Sequence, residues 1–402
     1  MSKRINYLHV EISTLCNAAC PCCPRFNANS PLLGEGLKTG YVSIAKFKEW
    51  FTPEILSRVN YMNFCGNHGD PGTNPDFPKI VEYISQFNLK KFQFHSNGGM
   101  RTPKHWKAVA SACNKASFPI HPIFSVDGLE DTNHLYRRNV KWKNLMKNMQ
   151  AFIDEFDRPD FIIWDYLVFK HNQHQIEEAE ALAKEMGIGT IQFKHPLNLD
   201  DGENITPIPS LANDGSILYW IDPSDLERFK PTYLSKDAKV KYTDNGDKLV
   251  SSYHEWPDDK PIRKEYIEKK REWEKIKIVP RCKPNDLYVE TDGTVHQCCF
   301  VANGFYLIRE AFYNGKWVEV RYRQYLSARK RLGEKNLNLN STTILKIEES
   351  KVLKKLNTFT WDKTVAEGKS LVCTDICGAK QGLDEIYETQ VNRVQGYEGK
   401  KI

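Results

Sequence analysis

Four cysteines crowd into eight residues near the start of the chain, Cys16-Asn-Ala-Ala-Cys20-Pro-Cys22-Cys23. The spacing Cys16-x3-Cys20-x2-Cys23 offers three thiolates in one tight loop, and thiolates are the natural ligands of iron–sulfur clusters. Three ligands on a four-iron cube leave one iron open to a small chelating molecule. Zinc is the rival for clustered cysteines, but it usually takes paired CxxC knuckles that close four ligands around the ion. No partner pair lies nearby. Buried or redox thiols are the third reading. Cys22 adds a fourth thiol, so spacing alone leaves open which of the four ligate.

A second group lies far down the chain. Cys282 and Cys298 flank a segment with Thr291-Asp292-Gly293 at its centre, and Cys373-x3-Cys377 can complete a set of four. A cluster with four thiolates is fully ligated and suits electron transfer; zinc and structural thiols are the alternatives. Cys298 and Cys299 compete for one position, because strand alternation points them to opposite faces; Cys298 is the choice. Cys65 and Cys113 read as buried core cysteines. His68 reads as a hydrogen-bonding spacer, and His171, Asn172 and His174 as helix-start residues.

The elements that must position these groups alternate. Residues 5–13, 59–64, 91–95, 120–126, 161–169 and 190–193 read as strands, rich in β-branched and aromatic residues. Between them, 47–56, 77–87, 103–113, 142–156 and 173–186 read as helices, with Thr102 and Pro103 as a start signal and Gly187 as a stop. Such alternation implies parallel strands joined by crossovers, in an open doubly wound sheet or a partial barrel. In either, chemistry sits in the loops after the strands, and Cys16–Cys23 occupies the first such loop. Beyond Pro196 the alternation stops. Residues 198–260 read as an irregular connector, 262–277 as a charged helix with an apolar stripe, and 287–290 with 294–297 as a β-hairpin.

The cysteine spacing after a first strand resembles the radical S-adenosylmethionine (radical SAM) superfamily. The likeness continues in Gly69-Asp70-Pro71, similar to that family's Gly-Gly-Glu-Pro motif, with His68 for a glycine and Asp70 for the glutamate. It continues in Ser96-Asn97-Gly98, and in Ser125-Val126-Asp127-Gly128 followed by Tyr136-Arg137-Arg138. Together these span residues 5–195. The resemblance implies a partial (β/α)6 barrel over 1–197, a connector and substrate-pocket segment over 198–280, and an α+β auxiliary-cluster domain over 281–402. The last is similar to the SPASM and twitch extensions, and closer to the shorter twitch form because the seven SPASM cysteines are not all present.

The implied chemistry is a [4Fe-4S] cluster on Cys16, Cys20 and Cys23 whose open iron chelates S-adenosylmethionine. One-electron reduction then yields a 5′-deoxyadenosyl radical that abstracts hydrogen from a substrate. The resemblance places Gly69, Asp70, Asn97, Ser125 and Arg138 (or Arg137) at S-adenosylmethionine. Cys22 stands where the family often has an aromatic; its backbone can still reach the adenine, but ring packing is lost. A second [4Fe-4S] cluster on Cys282, Cys298, Cys373 and Cys377 is implied, together with an electron donor such as flavodoxin or ferredoxin. The barrel begins almost at Met1, which tilts the expectation toward a small-molecule substrate over a peptide. An iron–sulfur electron-transfer or scaffold protein is the alternative from another class.

Composition sets outer limits. The 402 residues carry 57 basic and 51 acidic side chains, a net +6 that permits an anionic substrate and makes nucleic acid possible but not favoured. No run approaches the roughly 18 apolar residues of a membrane span. The first residues lack a secretory signal, so a cytoplasmic setting is expected, where the 11 cysteines serve better as ligands than as disulfides.

Overall fold

Six segments rich in aromatic and β-branched residues become strands: β1 (Ile5–Val10), β2 (Val59–Phe64), β3 (Lys91–Ser96), β4 (Ile120–Ser125), β5 (Ile163–Leu167) and β6 (Thr190–Lys194). In this computed structural model each pairs in parallel with the next, in strict chain order. Consecutive order is what a barrel wound in one direction produces. A doubly wound sheet reverses direction at a switch point, so the α/β partial barrel is the architecture present. The structure describes residues 4–21, 23, 25–26, 37–196, 207–229, 286–299, 302, 333–349, 352–353 and 392–393. The expected helix at 262–277 lies outside them, as do Cys22, Cys282, Cys373 and Cys377.

The crossovers are helical. They include α1 (Ile44–Trp50), α2 (Pro53–Leu56), α3 (Phe77–Ile84), α4 (Pro103–Asn114), α5 (Asn133–Tyr136), α6 (Trp142–Glu155) and α7 (Ile176–Glu185). One helix was expected over 47–56, and two form. Pro53 forces the residue before it out of the helical region, and Thr52 is extended at φ −63°, ψ 163°.

Strand alternation divides the sheet into two faces. Phe92, Phe94, Phe124, Trp164 and Tyr166 are fully buried on the helix side. There Phe94 lies 5.1 Å from Phe77 and 6.1 Å from Phe152, and Phe124 lies 5.5 Å from Trp106, ring centre to ring centre. The intervening residues, among them Gln93, His95, Asp165, Gln192 and Lys194, are only partly buried on the inner face.

The sheet extends beyond the six. The expected hairpin forms as β9 (Asp286–Val289) and β10 (Val295–His296), and β9 pairs in parallel with β1, Leu8 opposite Leu287. Its turn places Gly293 at φ 84°, a left-handed conformation that glycine adopts without a Cβ penalty. Within the connector, β7 (Ile208–Leu211) and β8 (Ile217–Ile221) make a separate hairpin. At the opposite edge β11 (Asn392–Arg393) lies antiparallel to β6, and α8 (Ile344–Glu349) follows the β10 region. Among the described residues no helix is long and apolar enough to cross a membrane.

Candidate active site

The chain leaves β1 into the cysteine loop, and the segments after β2, β3 and β4 meet it. The Ala19 N–H donates to the Arg138 carbonyl at 3.0 Å, and Cys23 N–H to the Cys20 carbonyl at 3.1 Å. Arg25, buried, donates through Nη1 to the Thr14 and His68 carbonyls at 2.8 and 2.9 Å, tying the end of the loop to the turn after β2. Cys20 is buried, while Cys16 and Cys23 are partly so.

Each of the three described loop thiols has an N–H neighbour, for Cys23 the Arg25 backbone. Cys16 Sγ receives the Ala18 N–H at 3.4 Å and Asn97 Nδ2 at 3.6 Å. Cys20 Sγ receives Arg137 Nη1 at 3.7 Å. Burial pushes all three thiols up, Cys23 to about 12, and charge on one opposes charge on another. Arg137 pulls Cys20 back toward the thiolate. Among the described residues no three Cys, His, Asp or Glu side chains form a group that could hold a metal ion. A four-iron cluster presents a different iron to each cysteine, so its thiols stand apart around it. Three thiols in one loop, met by N–H donors rather than carboxylates, suit that group chemically.

The turn after β2 approaches the loop closely. A Cβ on Gly69 would stand 2.0 Å from the Ser13 carbonyl oxygen, so only glycine fits there. Asp70 accepts four hydrogen bonds: Gly72 N–H (2.8 Å) and Ser96 Oγ (2.7 Å) on Oδ1, Asn97 N–H and Nδ2 (both 2.8 Å) on Oδ2. A carboxylate has about four lone-pair sites, so these donors occupy it. Asp70 clasps the loops after β2 and β3. Burial pushes its carboxyl up against the pull of those donors. Asn97, positioned by that clasp, also reaches Asn17 Oδ1 at 3.0 Å.

The two arginines diverge. Arg137 turns inward, Nε on Asp127 Oδ2 at 2.5 Å. Arg138 sends Nη1 to the Leu211 carbonyl at 2.6 Å, toward the β7–β8 hairpin. Ser125 ends β4 partly buried, opposite Asp165. Asp165 Oδ2 meets Lys194 Nζ at 2.7 Å, while its buried Oδ1 has no hydrogen-bond partner among the described residues. His95 lies near Lys194 and His9, and burial lowers its pKa to about 3.

Sequence reasoning missed Glu11. Its buried carboxylate takes His68 N–H at 2.6 Å, Gly69 N–H at 3.0 Å and the Tyr288 hydroxyl at 2.6 Å. His68 is thereby a spacer held in a network that joins β1, the β2 turn and β9. A charged residue in the inward register of β1, following Tyr7 and His9, was the available signal. Arg25 carried none. Of the second cysteine group, Cys298 and Cys299 are described. Cys299 offers its carbonyl to Asn67 Nδ2 at 3.0 Å, beside the β2 turn, and Cys298 starts a turn whose Ala302 N–H returns to it at 3.2 Å. Cys113 is buried in the core, and Cys65 is partly buried at the end of β2, beside the inner face.

No protein-family model matches the chain, and no curated protein matches it. Among solved structures it is similar to Streptococcus suis SuiB, a radical SAM enzyme. One SuiB structure aligns at 14% identity and a TM-score of 0.41, over 75% of this chain and 61% of that one, so the chain spans about three-fifths of its length. SuiB bound to S-adenosylmethionine aligns at 12% and 0.46, over 98% and 75%. SuiB bound to the precursor peptide SuiA aligns at 12% and 0.47, over 98% and 76%.

Proposed function

We propose that this protein is a radical SAM enzyme. The observation that carries the reading is the Cys16–Cys20–Cys23 loop, set after the first barrel strand and contacted by Asn97 and Arg137 from the ends of β3 and the β4 crossover. A [4Fe-4S] cluster on these thiols supplies, when bound, the electron that cleaves S-adenosylmethionine into methionine and a 5′-deoxyadenosyl radical. The chain's own residues do the rest. Cys16, Cys20 and Cys23 hold the cluster. The glycine backbone at Gly69, held against Ser13, allows close approach of the methionine amino group. Asp70 keeps Asn97 aimed at the loop.

The inner face indicates the substrate. Tyr7, Asn63, His95, Asp165 and Lys194 make it polar, and the unmet Asp165 Oδ1 calls for a hydrogen-bond donor. The substrate is a polar small molecule or peptide group carrying a hydroxyl or N–H. Cys282, Cys298, Cys373 and Cys377 would hold an auxiliary cluster, which would supply an electron acceptor, with a flavodoxin or ferredoxin as the external donor.

The test is anaerobic reconstitution. The protein should bind four irons at the loop, show a change in its reduced electron paramagnetic resonance (EPR) signal with S-adenosylmethionine, and release 5′-deoxyadenosine. Replacing Cys16, Cys20 and Cys23 together by Ala should abolish all three. Release of 5′-deoxyadenosine by that triple variant would refute the assignment.

A further inference from the structure

We propose that Arg137 is a positioning residue for the cysteine loop: anchored by Asp127, its guanidinium holds the Cys20 sulfur and raises the reduction potential of the cluster on that loop. The inference rests on the reading of Cys16, Cys20 and Cys23 as cluster ligands.

Asp127 is fully buried and Arg137 is 19% exposed. Both Asp127 oxygens are occupied, Oδ2 by Arg137 Nε and Oδ1 by the Leu167 N–H at 2.6 Å. The Asp127 N–H donates to Asn133 Oδ1 at 2.9 Å, and its carbonyl receives Asn172 Nδ2 at 3.0 Å. The carboxylate therefore cannot follow the guanidinium; it fixes it. On the other side, the Arg137 N–H closes the end of α5 on the Asn133 carbonyl at 2.8 Å, and its guanidinium lies over the Tyr136 ring at 5.5 Å. Nη1 is left pointing at Cys20 Sγ, 3.7 Å away. One planar fork thus serves a carboxylate with one nitrogen and a sulfur with another, which the point charge of a lysine cannot do.

A cationic donor on a ligating sulfur stabilises added negative charge, and hydrogen bonds to cluster sulfurs are among the factors that set its potential. Cys20, the most buried of the three described thiols, is the one so served. Arg138, the next residue, is directed to Leu211 and contributes only its backbone carbonyl to the loop.

The experiment is an EPR-monitored redox titration of the reconstituted full chain. For Arg137→Gln the ratio of reduced to oxidised cluster at a fixed potential should fall about tenfold, which is 59 mV for one electron, with iron content unchanged. Arg137→Lys should recover part of the shift. Should Arg137→Gln fail to fold because it strands a buried carboxylate, the double variant Arg137→Gln/Asp127→Asn removes both charges and should show a smaller shift in the same direction, from the lost hydrogen bond to Cys20 Sγ. An unchanged midpoint in either Gln variant overturns the proposal, as does a Lys variant that shifts as far as Gln. Iron absent from the three thiols of the unsubstituted protein would take down the functional reading as well. Iron present with no shift defeats this inference alone.

Discussion

On β3, Phe92 and Phe94 are fully buried beneath helices, whereas Gln93 and His95, one residue away, face inward and are partly buried. The same alternation holds on β5, where Trp164 and Tyr166 point to the helices and Asp165 points inward. The outer face is a packed layer of rings that holds the barrel together. The inner face carries polar and titratable groups and leaves one acceptor, Asp165 Oδ1, without a partner among the described residues. Stability and chemistry are therefore assigned to alternate residues of the same strands, and substitutions should separate them.

The largest effect is expected outside. Phe94→Ala removes a ring in contact with Phe77 and Phe152 and should destabilise the fold by about 3–5 kcal/mol, read by denaturant midpoint, while leaving iron binding in the folded fraction intact. A loss below ~1 kcal/mol would break the comparison.

A middle effect is expected from pH. His95 has its pKa lowered from 6.5 to about 3 by burial. The unfolded chain takes up a proton below pH 6.5 and the folded chain does not. Stability is thus fully present above that value and is lost as pH falls toward 3, at about 1.4 kcal/mol per pH unit for this residue. Unfolding of the His95→Gln variant should show a correspondingly weaker dependence between pH 6 and 4. Parallel curves for the two proteins would remove His95 from the account.

The smallest effect on stability, and a large one on turnover, is expected from Asp165→Asn. Its ion pair with Lys194 is partly exposed, so its loss should lower stability by about 1 kcal/mol or less. Hydrogen abstraction from substrate should fall at least tenfold while 5′-deoxyadenosine release without substrate persists. Equal loss of both would place Asp165 in the scaffold instead.

The strand and helix pattern was legible because each element carries its own periodicity, and the β9–β10 hairpin was legible from its Thr-Asp-Gly turn. The pairing of β9 with β1 was not, since no local pattern records which distant edge a strand will meet. The cysteine loop stood out by its spacing, which left open which of its four thiols ligate. What surrounds it was harder: Tyr136-Arg137-Arg138 offers two arginines, and only the turn at the end of α5, with Arg137 at φ −81°, ψ 58°, decides which one faces the loop. Asp70 was located but its partners were not, because the four donors that fill its carboxylate come from residues up to 27 positions away.

The parallel pairing of β9 with β1 has a consequence for biogenesis. Asn6 and Asp286 are hydrogen-bonded across 280 residues of chain. Until that late segment leaves the ribosome, the nascent barrel carries a bare strand edge, able to recruit another polypeptide, and the Glu11 carboxylate lacks the hydrogen bond that the Tyr288 phenol donates to it. The protein is therefore most exposed to misassembly while the cysteine loop, already synthesised, waits for its last supporting strand.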